Sequence, residues 1–547
     1  MVGQFWGAGG RATPSACAGV LGAFLGLNIA LPVSAAPTAS ILDSVVVDQE
    51  SSPLNDGRAA LQSAAALVQQ GRLADADREA HLALADPETR AVAYSVLGTI
   101  RVQQKRLAES VVFLQKAIQI EPRLIGAHLT LAQVYMLQRK PQAALRNFQR
   151  ALELDPSNVP ARLALGRAAM EKGDYAGSLA LVRPVEAAIA QSPEGLLVLV
   201  ADLLKTGDRT AAAPLVKAWN DLPEVPSDLA IRFGLLLIDE KMAPDAVAVL
   251  ERAKRLGPPS FELAFNLGGA YLVNGDPAAA LEAYDLALTL QPASLPALRQ
   301  AAAIAERQGE LERSLSYWIR ARKIAANDPS VLLGFGRVCL KMDLLEDAEP
   351  ALAKAAALKQ GDLSYQYALA AAKVGKRQFA EAETLLEAML RARPQDPHLL
   401  YALGAVFYTQ GKLPEAAARL RESLQRQPDQ LWSRYYLALI ARDQGREAEA
   451  IEMLEALLQR YPDHAASSEV LGSLLMSAQR FTDAETRLRD AVRLDPQSVK
   501  ANYQLGLLLA RTGRKEEADR QLALSKTLRQ EDESTSRLQL RLLEPEQ

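Results

Sequence analysis

The sequence predicts an all-α solenoid, a chain of about 14 tandem helix-turn-helix units stacked side by side, and three observations carry that reading. The segment "LDPQSVKANYQLGLLLARTGRKEEA" from Leu494 is a relative of "LDPSNVPARLALGRAAMEKGDYAGS" from Leu154, and the 340 residues between them are ten periods of 34. A fixed period of this length marks a repeat architecture in which one supersecondary unit recurs along the chain. Every 34th residue from Ala76 to Ala518 is Ala or Ser, including Ser110, Ala144, Ser178, Ala280, Ser314 and Ala416. Composition alone does not produce such a column. Chain breaks recur in the same register, which sets the length of every element.

The elements follow in order. Twelve residues before the Ala/Ser column lies a second small-residue column, with Gly98, Ala132, Gly166, Gly234, Gly336 and Gly506 among its members and Val200 as its large exception. The residue just before it is mostly Leu or Phe, as in Leu97, Phe233 and Leu403, so this first helix fills a core and still lets a neighbour approach closely. Between the two columns Gly71, Gly173, Gly207, Gly275, Gly309, Gly411, Gly445 and Gly513 mark a helix stop on a left-handed residue. Pro122, Pro156, Pro292, Pro394 and Pro496 mark the turn into the next unit. Each unit is therefore two antiparallel helices of about 13 to 15 residues with apolar positions three and four apart. Strand-period alternation is absent from the sequence.

These columns resemble the tetratricopeptide repeat, whose 34-residue unit carries Leu-Gly in its first helix and an aromatic three residues later, as Tyr135, Tyr271 and Phe407 do here. Ala opens the second helix, an aromatic or Leu follows four residues on (Phe148, Tyr284, Trp318), and Pro closes the unit. The best single copies are "AFNLGGAYLVNGDPAAALEAYDLALTLQP" from Ala264 and "ANYQLGLLLARTGRKEEADRQLALS" from Ala501. The resemblance covers residues 54–530 and implies a right-handed superhelix with a concave groove lined by first helices. It speaks to fold and says little about chemistry. The register weakens over 188–226, where Val200 and Trp219 replace small residues and Pro193, Pro223 and Pro226 crowd the turns.

What lies outside the repeats bounds the rest. Residues 1–35 have one positive charge, Arg11, then an apolar run from Ala16 to Leu31 and the small-residue pattern Val33-Ser34-Ala35. That pattern reads as a secretory signal peptide cleaved after Ala35, followed by a linker over 36–53. The run holds Asn28 and several glycines and falls short of the roughly 20 residues that a retained membrane anchor needs. No integral membrane segment is then expected in the mature chain, which is read as exported and periplasmic. Residues 531–547 read as a charged C-terminal tail.

Composition excludes several functions. The 62 basic and 65 acidic residues nearly balance, so the sequence carries no electrostatic footprint for nucleic acid. His81, His128, His398 and His464 lie far apart, without metal-ligand spacing, and no metal or cofactor is expected. Cys339 falls in the aromatic column and reads as a small buried hydrophobe. No Gly-rich phosphate loop, metal-spaced His-Glu pair or Gly-flanked nucleophilic Ser is present, so the chain is expected not to be an enzyme.

A ligand-binding face is nevertheless legible. Positions spaced 3, 4 and 3 residues apart in each first helix fall opposite the Leu-Gly pair and should look into the groove. In early units they are mainly Leu, Ile, Val and Met (Leu129, Met136, Leu163, Met170, Leu197, Leu204, Ile231, Ile238). Later they supply Tyr367, His398, Tyr401, Tyr408, Trp432 and Tyr435, with Tyr436 beside them, although aromatics are 5% of the chain. Such side chains offer broad apolar area with a polar tip, which suits peptide or sugar recognition, and they also serve as packing between adjacent helices. Family modules that clamp a chaperone carboxylate present Lys, Asn and Arg in successive units. Here Arg167, Arg299, Arg337 and Arg442 are scattered, so that activity is not carried over.

The expected function is a protein-protein interaction scaffold in a bacterial cell envelope. Its partners are envelope or secretion proteins, since exported repeat proteins of this kind resemble components of exopolysaccharide, pilus or outer-membrane machinery, with exopolysaccharide secretion preferred because long arrays are common there. A carbohydrate-binding periplasmic solenoid, taking polysaccharide as ligand, is the alternative. A non-catalytic part of a glycosyltransferase system ranks below it.

Overall fold

The computed structural model describes residues 56–534, and the expected leader, the linker and tail residues 535–547 lie outside it. The described residues fall into two compact bodies, 56–276 and 277–534. In chain order they carry fourteen first helices and fourteen second helices, from Asp56–Gln69 and Leu73–Leu82 to Val499–Arg511 and Lys515–Ser534, with no strand among the described residues. The all-α repeat architecture is thus as expected. The division falls inside the seventh repeat, where Phe261–Val273 closes the first body and Pro277–Leu290 opens the second.

Within a repeat the small-residue column does what its composition implies. A Cβ added to Gly98 would lie 2.6 Å from Leu114 Cγ, one on Gly404 2.8 Å from Leu420 Cγ, and one on Gly472 2.6 Å from Leu488 Cγ. Leu114, Leu420 and Leu488 are fully buried, so the second helix drives a bulky side chain into the space that the first helix leaves empty. The Ala/Ser column lies at the same contact, with Ala144, Ala416 and Ala484 wholly buried. Its serines spend their hydroxyls on the partner helix: Ser110 donates to the Gly98 carbonyl and Ser314 to the Ala302 carbonyl, each at 2.8 Å. Those bonds satisfy a hydroxyl that would otherwise be buried alone.

The turn between the two helices places one residue at positive φ in every repeat. Gly holds the position eight times, and Lys105, Arg139, Lys241, Asp343, Arg377 and Gln479 hold it in the other six, at φ between 57° and 62°. An L side chain in this left-handed region costs roughly 1–2 kcal/mol, and six repeats carry that cost. The backbone bonds explain why the conformation persists. In the turn of the third repeat, for example, the Arg139 N–H reaches the Met136 carbonyl at 2.9 Å and the Lys140 N–H reaches the Tyr135 carbonyl at 2.8 Å. These bonds satisfy carbonyls that the helix end leaves open.

A third column was not read from the sequence. Asn158, Ser192, Ser260, Ser294, Asp328, Asp362, Asp396, His464 and Ser498 stand one repeat period apart or at multiples of it. Each accepts a hydrogen bond from a backbone N–H in the first turn of a first helix. These caps fix where each first helix begins.

The repeat is most altered from Arg183 to Leu222. The second helix of repeat 4 stops at Val182 and gives way to a 3-10 turn, Arg183–Val185, and a short helix, Glu186–Ile189. A Cβ on Gly195 would lie 2.0 Å from the Ile189 carbonyl oxygen, so this short helix rests directly on the first helix of repeat 5. The second helix of repeat 5 contains Pro214, ends at Ala218 and passes into a 3-10 turn, Trp219–Asp221. Trp219, wholly buried, stacks on Phe233 of repeat 6 with ring centroids 4.1 Å apart. The large residues that break the columns are thus absorbed as core.

Three outcomes follow. Ala416→Leu inserts three carbons into a fully buried contact and is expected to cost about 1–3 kcal/mol, read as a lowered midpoint in thermal denaturation followed by circular dichroism. Gly411 has open space around its missing Cβ, so Gly411→Ala is expected to cost about 1–2 kcal/mol through backbone strain alone. Arg377→Gly shifts the urea midpoint in the opposite direction by less, because glycine also loses more freedom on folding.

Candidate aromatic binding face

The aromatic residues picked out in the sequence lie on first helices of repeats 10 to 12, all in the second body. Asp396 starts the first helix of repeat 11 by accepting from the N–H groups of His398 and Leu399, at 3.0 and 3.3 Å. From that start the helix Pro397–Thr409 places Tyr401 one turn in and Tyr408 near its end. Helix Leu431–Asp443 repeats the arrangement with Trp432, Tyr435 and Tyr436.

The rings form one connected cluster. Tyr401 and Tyr408 approach Tyr436 with centroids at 6.1 and 5.3 Å, and Tyr436 meets Tyr435 at 5.8 Å. Trp432 meets Tyr435 edge-on at 5.8 Å. Such tilted and edge-to-face pairs add to the energy of area burial because the positive rim of one ring meets the negative face of another. Tyr367 and His398 sit in the same columns, one repeat before Tyr401 and Trp432 respectively.

His464 belongs to this cluster, although the sequence reading treated it only as a failed metal ligand. Its imidazole lies 4.9 Å from Trp432 and 5.3 Å from Tyr435, edge-on to both. Its Nδ1 accepts from the Ser467 N–H at 3.3 Å, so it caps helix Ala465–Ser477 and closes the cluster at once. The capping column, had it been read, would have placed His464 at the mouth of repeat 13.

Burial divides the cluster into a floor and a surface. Tyr401 and Tyr435 are 5% and 6% exposed, and Tyr435 belongs to the core shared by repeats 12 to 14. Trp432, Tyr408 and Tyr436 are half-buried. In the first body, Leu129, Leu197, Leu204 and Ile238 of the same columns are buried as well, so much of this face is packing between neighbouring first helices.

Polar contacts hold the rim. The Tyr408 hydroxyl donates to Asp443 Oδ2 at 2.7 Å, and Arg442 pairs with Asp443 at 2.7 Å while reaching the Tyr408 oxygen at 3.4 Å. Burial, reinforced by the neighbouring Asp443 carboxylate, pushes the Tyr408 phenol well above its usual range. Burial likewise raises the Tyr367 phenol, and it pushes the His398 imidazole down to about 4 against the pull of Asp396. His398 is therefore neutral near pH 7. At the start of helix Leu431–Asp443 a buried polar knot links Ser433, Gln430 and Ser423 to the Pro397 carbonyl: Ser433 donates to Gln430 Oε1 at 2.5 Å and Ser423 to Pro397 O at 2.7 Å. This knot ties repeat 11 to repeat 12.

Elsewhere Cys339 is wholly buried and its thiol is pushed up to about 12 by desolvation, which suits packing and not nucleophilic chemistry. Among the described residues no group of His, Cys, Asp and Glu is placed to hold a metal ion. No described helix is long and apolar enough to cross a membrane.

The repeat geometry defines a class, and comparison with known proteins agrees. Family models described as tetratricopeptide repeat match residues 136–199, 407–474 and 441–491, residues 231–294, 367–430 and 469–524, and residues 91–124. Together these spans take in more than half of the sequence, and the chain belongs to the tetratricopeptide repeat family. Proteins built on this repeat generally mediate protein-protein interaction. Among solved structures, a tetratricopeptide repeat protein from Parabacteroides merdae is 18% identical with a TM-score of 0.40, over 46% of this chain and 98% of that one. Yeast Tom70 is 15% identical with a TM-score of 0.36, over 82% and 97%. YrrB, a tetratricopeptide repeat protein with an unusual peptide-binding site, is 17% identical with a TM-score of 0.30, over 34% and 95%. These likenesses concern the fold alone. A search of curated proteins found no match.

Burial sets the cost of each ring. Tyr435→Ala is expected to lose about 3–5 kcal/mol, the range for a large core aromatic, whereas Tyr408→Phe removes the hydroxyl's bond to the charged Asp443 carboxylate, worth about 1.5–3 kcal/mol. Urea melts of the two variants against the parent check this ordering.

Proposed function

We propose that this chain is a non-enzymatic scaffold of a bacterial cell envelope, exported by its N-terminal leader, that captures extended segments of partner proteins on the aromatic face of repeats 11 to 13. The observation that carries the reading is the cluster itself: Trp432, Tyr408 and Tyr436 stand half-buried over a floor of Tyr401 and Tyr435. Aromatic side chains with two rotatable angles, already held by neighbours, offer contact area at little cost in side-chain freedom. A rim carrying the Arg442–Asp443 pair adds polar groups to orient a ligand.

The setting we favour is assembly or export of exopolysaccharide, with pilus and outer-membrane machinery as related settings. The leader pattern and the near-neutral charge balance support an exported protein whose partners are proteins. Periplasmic residence after cleavage at Ala35 is part of the same proposal.

Tyr401 and Tyr435 are too buried to serve as clean probes, so the test uses the rings that keep exposed surface. A photo-crosslinking residue at Trp432, and another at the exposed Glu415 of a second helix as control, are expected to trap one or a few envelope proteins from position 432 only. Tyr408→Ala and Tyr436→Ala together should reduce that yield at least several-fold. Equal trapping from both positions would overturn the assigned face. Saturable binding of a soluble oligosaccharide, lost on Trp432→Ala and with no protein trapped, would replace the reading with glycan binding.

A further inference from the structure

Asp202 is the residue that the repeat pattern explains least. It lies in helix Pro193–Lys205 at a core position whose counterparts in other repeats include Ile100, Val134, Leu236, Ile304 and Leu474. Its side chain is wholly buried. One carboxyl oxygen, Oδ2, accepts from the Ser178 hydroxyl at 2.5 Å, and the other, Oδ1, is buried with no hydrogen-bond partner. A carboxylate held by a single neutral donor in an apolar contact is poorly compensated.

Ser178 shows what the position would otherwise do. It belongs to the Ala/Ser column, where Ser110 and Ser314 donate to the carbonyl of the residue twelve before them on the paired helix. Ser178 instead turns its hydroxyl across the boundary to Asp202 of the next repeat. The contact joins repeats 4 and 5 where two successive second helices are cut short, with Tyr175–Val182 at 8 residues and Arg209–Ala218 at 10, the latter containing Pro214. It therefore spans the most irregular joint of the first body.

We propose that the joint between repeats 4 and 5 is a pH-operated hinge, closed when the Asp202 carboxyl is protonated and loosened when it ionises. In the closed form the acid O–H donates to Ser178 Oγ, and the Ser178 hydroxyl, keeping its own hydrogen, turns to donate it to the carbonyl of Gly166, the bond its column counterparts make. Loss of one proton to solvent leaves a carboxylate in the apolar contact and returns the Ser178 hydroxyl to it.

The electrostatic surroundings favour a switch near neutral pH. Burial pushes the Asp202 carboxyl up to about 7, the Ser178 hydroxyl opposes this, and the Asp174 carboxylate adds to it. Asp174 itself caps the second helix of repeat 4, accepting from the Gly177 N–H at 2.9 Å. Cations on the packed elements are directed elsewhere: Arg162 to the Leu181 carbonyl, Arg167 to Glu171, Lys205 to Asp239 and Glu240, and Arg209 to Glu240. Asp208 caps the helix that follows. An unfolded Asp titrates near 3.8, so the stability contributed by the neutral form is full below about pH 4 and is lost as pH rises through about 7.

Hydrogen-exchange mass spectrometry of the full chain at pH 6 and pH 8.5, corrected for intrinsic exchange, tests the hinge. Amides of residues 159–239 in the parent are expected to exchange faster at the higher pH by up to about tenfold, the limit for one group titrating near 7, while amides of residues 397–511 keep their protection. Asp202→Asn, which keeps shape without titrating, and Asp202→Leu, which restores the apolar column, are both expected to show equal protection at the two pH values. Equal protection in the parent, the same pH response in Asp202→Leu, or loosening spread over both bodies would each overturn the hinge.

Discussion

The close approach of the two helices in a repeat rests on one contact, a bulky second-helix side chain occupying the volume that a Cβ would take on the first helix. Leu114 against Gly98, Leu420 against Gly404 and Leu488 against Gly472 are instances of it. Where the small residue is Ala, as at Ala132 and Ala302, the residue in the register of those leucines is Phe148 or Trp318, both buried, and the Trp318 ring lies where a Cβ on Gly334 of the next repeat would stand. Because the contact recurs from repeat to repeat, the stacking of one unit on the next is built from copies of the same geometry, and stability accumulates from neighbour interactions. The left-handed turn serves this contact, since it reverses the chain within a few residues so that the two helices can meet.

The aromatic face is an elaboration of the same scheme. Tyr401 and Tyr435 occupy a column that is mainly aliphatic in the first body, and they are buried as their counterparts Leu129 and Leu197 are. What distinguishes repeats 11 to 13 is the second tier, in which Trp432, Tyr408, Tyr436 and His464 stand against that floor with edge-on contacts. The Gln430 knot that ties repeat 11 to repeat 12 and the Arg442–Asp443 pair at the rim hold this tier on rigid helices, which is the condition for presenting side chains without losing their freedom on binding.

The joint of repeats 4 and 5 departs from the scheme in the opposite sense. It replaces an aliphatic core residue with Asp202 and a long second helix with a short one, so local packing and local chemistry weaken together. The large substitutions nearby, Val200 and Trp219, are accommodated without loss because they remain apolar and fill volume. The carboxyl differs because its charged form cannot be compensated by packing.

The period, the two small-residue columns and the glycine turns were legible in the sequence because each depends on spacing along one helix or one turn, and Gly98, Ala416 and Gly411 stand where that spacing places them. The capping column, from Asn158 to Ser498, was equally local and went unread because its members differ in chemistry while sharing one geometry. Tertiary structure decided the remainder. That Arg377 and Gln479 adopt a left-handed turn without glycine follows from the helix pairing on either side of it. That Tyr435 is floor while Trp432 is surface, that His464 closes the cluster, and that Ser178 turns to Asp202 depend on how far one repeat rotates over the next. No single repeat carries that rotation in its residues, because it emerges only when the side chains of adjacent repeats compete for the same volume.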